Sequence, residues 1–139
     1  MQKKVILGLM VGLCTAASAF ADYGDRAAYS LCDSMFTPSI KAQCYNLVAR
    51  ARSFQPSAVD ACRSFFNESE KMSCVRTIAD RNFDNDGLRV CSSLFTPSNK
   101  LSCIGSIAHQ RMQPNAANFC MSFFNETDKL RCVSIAVNR

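Results

Sequence analysis

Eight cysteines set the frame. They fall as Cys32/Cys44, Cys62/Cys74, Cys91/Cys103 and Cys120/Cys132, so a C-x11-C unit recurs four times at steps of 30, 29 and 29 residues. The text around each first cysteine recurs with it: Cys32-Asp-Ser-Met-Phe-Thr-Pro, Cys62-Arg-Ser-Phe-Phe-Asn-Glu, Cys91-Ser-Ser-Leu-Phe-Thr-Pro and Cys120-Met-Ser-Phe-Phe-Asn-Glu. A period of this length marks a repeat architecture, in which one unit cannot bury its apolar face alone and stacks on its neighbours. Units one and three share Phe-Thr-Pro-Ser, while units two and four share Phe-Phe-Asn-Glu, which points to a duplicated two-unit block. The halves are residues 22–81 and 82–139, expected to form one compact domain.

Each unit reads as two helices. Apolar residues stand three before the first cysteine, at it, and three and four after it, as in Val59, Cys62, Phe65 and Phe66, which is helical spacing. Thr37, Asn67, Thr96 and Asn125 follow, residue types whose side chains cap a new helix by accepting a backbone N–H bond. Pro38 and Pro97 stand at the first helical position, and Glu70 and Asp128 three residues after their caps. The second helix then carries Met72, Val75, Ile78 and Ala79 in unit two and Leu101, Ile104, Ile107 and Ala108 in unit three. Ser57, Asp86 and Asn115 are expected to cap the first helix of the following unit. The expected fold is all-α: four tandem disulfide-stapled helical hairpins, about eight short helices, forming a short α-solenoid or two linked four-helix units. Phe36, Phe66, Phe95 and Phe124 recur at one position, and Phe54, Phe83 and Met112 recur eight residues before the next unit's first cysteine; both sets are expected to fill the core and the seams between units.

A single helix through C-x11-C would set its two cysteines about 120° apart, and a following Pro disfavours continuous helix. In a hairpin the remaining stagger is ~3 Å along the axis, which a disulfide spans. The expected bonds are Cys32–Cys44, Cys62–Cys74, Cys91–Cys103 and Cys120–Cys132. Pairing Cys44–Cys62, Cys74–Cys91 and Cys103–Cys120, with Cys32–Cys132 closing the ends, stays open on spacing alone. So does a thiolate metal site, although C-x2-C spacing and a second His are lacking.

The first residues carry the order of a secretory signal. Lys3 and Lys4 precede the apolar run Val5–Leu13, and small residues lead to Ala19-Phe20-Ala21, so residues 1–21 are expected to be removed. The run is shorter than the ~20 residues that cross a bilayer, and no span is expected in the mature chain. Removal takes Cys14 away and leaves an even eight cysteines, the pattern of disulfides in an oxidising compartment, periplasmic or extracellular. It also removes two of the 16 basic residues and no acidic one, so 14 face 11 and the charge is +3. That balance is too slight for a nucleic-acid footprint.

Candidate functional residues are few. Lys41, Lys71, Lys100 and Lys129 each lie nine residues after the first cysteine of their unit. The helix dipole does not favour a cation so early in a helix. With Arg63, Arg76 and Arg131 they are expected to form a basic edge for a protein or an anionic envelope component, unless the Lys stems merely cover neighbouring Phe rings. Asn82, Asp84 and Asp86 before Gly87 match the start of an EF-hand calcium loop, but Ser93 stands where the twelfth-position Glu is needed. Ser34, Ser64, Ser93 and Ser122, two after each first cysteine, permit close helix approach, and His109 is expected in solvent. No nucleophile elbow, phosphate loop or H-E-x-x-H motif occurs. The expected function is that of an exported, non-catalytic interaction or structural module needing no cofactor. The alternatives are a small envelope-active enzyme or enzyme inhibitor, and a calcium-dependent structural protein. In architecture the chain resembles the cysteine-stapled Sel1-like helical repeat proteins exported by some bacteria, whose repeats are longer and whose cysteine pairs are closer.

Overall fold

A computed structural model describes residues 17–138. The expected signal segment up to residue 16, with Cys14, lies outside the described residues, and residues 17–21 form the first turns of a helix. In chain order the helices are α1 (Ala17–Asp33), α2 (Pro38–Arg50), α3 (Pro56–Arg63), α4 (Glu68–Ile78), α5 (Asn85–Ser92), α6 (Pro97–Ser106), α7 (Ala116–Met121) and α8 (Glu126–Ala136). Two short segments, β1 (Arg111–Met112) and β2 (Val137–Asn138), pair antiparallel between the last two repeats.

The recurrent serine makes each hairpin. Ser34, Ser64, Ser93 and Ser122 donate their hydroxyls to the carbonyls of Leu31, Ala61, Val90 and Phe119 at 2.6, 2.6, 2.7 and 2.7 Å, which closes the last turn of the first helix. The chain is extended at Thr37, Asn67, Thr96 and Asn125, and the second helix starts at the next residue, running back along the first. Four disulfides then join the two helices of each hairpin as Cys32–Cys44, Cys62–Cys74, Cys91–Cys103 and Cys120–Cys132, with Cα–Cα distances of 5.4–5.5 Å. The pairing between repeats does not occur.

Stacking is continuous. Helices α1, α3, α5 and α7 pack successively as one layer, and α2, α4, α6 and α8 as the other, with α3 on α5 and α4 on α6 across the middle of the chain. This is a two-layer α-solenoid rather than two four-helix units. Its core lies between the layers, around Leu31, Met35, Val59, Val75, Ile78, Val90, Leu94, Ile104, Ile107 and Val133, with the disulfides among them. Phe54, Phe83 and Met112 are buried ahead of repeats two, three and four, as their spacing predicts. Helices of 6 to 13 residues in repeats two to four and in α2 are at or below the length that is marginal alone in water. Packing and cross-links therefore carry the stability, each disulfide contributing ~3 kcal/mol in the chain-entropy account.

Linkers between repeats are tied to one another. Asp80, at φ 58°, donates its amide to Ser53 O at 3.1 Å and accepts from the amides of Arg52 and Ser53 at 2.6 and 3.1 Å. His109, at φ 60°, donates its amide to Asn82 O at 2.8 Å, so this exposed residue anchors a linker through its backbone. Gln55 brackets the next linker, accepting from Phe83 N at 2.7 Å and donating to Phe83 O at 2.9 Å. Gly24 is needed where α1 crosses the first linker, because a Cβ there would sit 1.8 Å from Phe54 O.

Two sets of caps differ from expectation. The first helices of repeats two and three start after Gln55 and Asp84, not after Ser57 and Asp86, because Pro56 takes the first helical position and the Asp84 carboxylate accepts from Gly87 N at 3.4 Å. Asn115 does precede α7, but with φ 66° and no side-chain bond.

Candidate interaction surface

The turn phenylalanines overturn the core expectation. Phe36, Phe66, Phe95 and Phe124 are 92%, 101%, 85% and 101% exposed. The reason is local: the serine two places earlier ends the helix, so apolar helical spacing stops applying. The residue three after the cysteine, Met35, Phe65 or Leu94, turns into the core, and the next one faces outward. One aromatic ring per repeat, at the same turn, makes a row along one edge of the solenoid.

Glutamates at alternate repeats lock that edge. Glu68, the first residue of α4, accepts from the amides of Phe36 and of Thr37, the latter at 3.1 Å, in the preceding repeat. Glu126, the first residue of α8, does the same for Phe95 and for Thr96 at 2.8 Å, and also accepts from Asn99 Nδ2 at 2.8 Å. Thr37 and Thr96 therefore make no side-chain cap, contrary to expectation, while Asn67 and Asn125 cap their own helices by accepting from Ser69 N and Asp128 N at 2.8 and 2.7 Å. Bonds from Thr37 and Phe36 lower the Glu68 pKa, with Lys71 adding a smaller pull. For Glu126, burial opposes ionisation, but the bonds from Thr96, Asn99 and Phe95 outweigh it and hold the pKa at about 2. The alternation of Phe-Thr-Pro with Phe-Phe-Asn-Glu is the sequence signal of this role: the Glu of every second repeat serves the Thr-Pro turn before it.

The lysines are not an exposed ladder. Lys100 and Lys129 are 8% and 9% exposed. Lys100 Nζ donates to Ser64 Oγ at 3.1 Å and lies 5.3 Å from the Phe65 ring centroid, and Lys129 Nζ reaches Ser93 Oγ at 3.3 Å. The position in the first turns of the second helix points each side chain into the seam with the preceding repeat, where the repeated serine meets it. Lys41 and Lys71 are half-buried. Arg63 pairs with Asp60 at 3.4 Å and donates to Ala27 O at 3.1 Å, and Arg76 donates to Gln43 at 3.1 Å. Arg131 is exposed beside a cleft also lined by Phe119, Phe123 and Ile135. Of the seven cations, then, Lys100 and Lys129 are buried at seams between repeats, and Arg63 and Arg76 are held by neighbouring groups.

Asn82, Asp84 and Asp86 do not converge. Asp84 faces the amides of Gly87 and Met112, Asp86 pairs with Arg89 at 3.1 Å, and Asn82 uses its backbone carbonyl for His109. Among the described residues no group of three or more His, Cys, Asp or Glu side chains is placed to hold a metal ion, and no helix is long and apolar enough to cross a membrane. The outer face of repeat four adds a second apolar area. Phe119 is 63% exposed at a position where Leu31, Ala61 and Val90 are buried, and Ile135 is 72% exposed.

Compared with protein-family models, curated proteins and solved structures, the chain finds no match.

Proposed function

We propose that this chain is an exported, non-catalytic interaction module that engages its partner through the row Phe36, Phe66, Phe95 and Phe124. The single observation that carries this reading is their exposure, 85–101% in every repeat. Burying a Phe side chain is worth ~1.5–3 kcal/mol, and the same chain buries Phe54, Phe65 and Phe83. Four forgone burials at one register, next to a well-filled core, fit a surface kept for a partner, and aromatic side chains dominate the binding energy of protein interfaces. Four disulfides suit an oxidising, exported setting. The signal-like residues 1–21 supply the route, to the periplasm or the exterior.

The test is site-specific photo-crosslinking in the cell envelope that exports the protein. A photoreactive residue at position 66 or 95 should give a discrete adduct, and one at exposed Ala49, on α2 away from the turns, should not. Absence of adducts at the Phe positions, or the same pattern at position 49, would overturn the reading.

A further inference from the structure

We infer that the cleft between repeats two and three binds a carboxylate joined to an apolar group. The inference rests on the Phe row being the contact surface and names the chemistry that one part of it takes. The protein supplies its own template. At the seam between repeats one and two, and again between three and four, a glutamate carboxylate sits on two consecutive turn amides: Phe36 and Thr37 under Glu68, Phe95 and Thr96 under Glu126. The equivalent amides at the middle seam belong to Phe66 and Asn67, and the residue in the glutamate's place is Pro97. Among the described residues neither amide donates to a protein acceptor, while the Asn67 side chain is already engaged with Ser69 N.

A second observation adjoins these amides, with Phe66 and Pro97 common to both. The cleft at this seam encloses about 460 Å3 and is lined by Phe65, Phe66, Leu94, Phe95, Pro97 and Lys100, with serines at its margin. Lys100 is more than nine-tenths buried, at 8% exposure. Its ammonium has three donors; among the described residues they meet the Ser64 hydroxyl and the face of Phe65, and no carboxylate lies in ion-pair range. A buried cation is ordinarily matched by an opposite charge. A carboxylate seated on the Phe66 and Asn67 amides, as Glu68 sits beside Lys71, would come under the field of Lys100. Its apolar portion would lie between the rings of Phe66 and Phe95. Both a glutamate side chain in an apolar peptide and a free alkyl carboxylate carry this chemistry.

The experiment is an amide-resolved NMR titration of the disulfide-intact chain. The probes are hexanoate against hexanol, and a blocked Leu-Glu-Leu peptide against its Leu-Gln-Leu counterpart. The carboxylate probes should shift the Phe66 and Asn67 amides saturably and bind at least tenfold tighter than their neutral counterparts; the tighter of the two names the source. Pro97→Glu installs the side chain that repeats two and four already use and should abolish the saturable shifts. Lys100→Met should weaken the carboxylates at least fivefold and leave the neutral probes unchanged. Equal affinity for charged and neutral probes would overturn the carboxylate assignment while leaving the Phe row as an apolar surface. Unaltered carboxylate binding in Pro97→Glu, or no binding of any probe, would overturn it too, and crosslinking at position 66 judges the Phe row independently.

Discussion

Replacing Glu126 by Gln isolates the charge that joins repeat four to repeat three. The carboxylate accepts from Phe95 N, from Thr96 N at 2.8 Å and from Asn99 Nδ2 at 2.8 Å, and its pKa falls from 4.5 to about 2. At ~1.4 kcal/mol per unit that shift sets a ceiling of about 3 kcal/mol. The site is partly open to water, so screening reduces the net effect to about 1–2 kcal/mol. For a body of this size that lowers Tm by roughly 4–8 °C. The sign follows from linkage: a carboxyl whose folded pKa is depressed stabilises fully above its unfolded pKa, and loses that contribution as pH falls through the folded value. The difference between wild type and Glu126→Gln should therefore be whole at pH 6.5, shrink below pH 4.5 and approach zero near pH 2. Urea midpoints followed by helical circular dichroism at pH 6.5, 4 and 2 measure it, with Glu70→Gln, which makes no such bridge, as the control. A difference below about 0.3 kcal/mol at pH 6.5, or one undiminished at pH 2, would refute the bridge as a stabilising device.

Other perturbations divide the molecule in the same way. Phe54→Ala should cost about 3–5 kcal/mol as a core truncation, whereas Phe66→Ala, at a fully exposed ring, should change stability by less than about 0.5 kcal/mol in the same urea assay. Removing one staple as Cys62→Ser with Cys74→Ser should cost about 2–4 kcal/mol, and reducing all four disulfides without denaturant should abolish most of the helical signal; a fully helical reduced chain would contradict this. Millimolar Ca2+ should leave Tm unchanged, since Asp84 is committed to the amides of Gly87 and Met112 and Asp86 to Arg89; a rise would show that the loop rearranges around the ion.

The cysteine spacing, the Thr-Pro and Asn-Glu turns and the buried Phe54 and Phe83 were legible because each reports a local constraint: a crosslink, a helix start, a side chain on a helical face. The outward turn of Phe36 and its counterparts was not, since apolar periodicity contains no mark of where a helix ends. The mark was present in Ser34, Ser64, Ser93 and Ser122, whose hydroxyls close the helices. The seams were harder still. Glu68 and Glu126 act on amides 30 to 32 residues earlier, and Lys100 and Lys129 on serines 36 residues earlier, so each role depends on how one repeat settles on the last. Their regular recurrence revealed a constraint at those positions without revealing its partner.

Trypsin digestion of the oxidised chain offers a direct reading of the hairpin units, because Lys and Arg place all eight cysteines in separate peptides. Mass spectrometry without reduction should find residues 27–41 joined to 42–50, 53–63 to 72–76, 90–100 to 101–111, and 112–129 to 132–139. Recovery of 42–50 joined to 53–63, or 72–76 joined to 90–100, would place the crosslinks between repeats and contradict the stapled-hairpin solenoid.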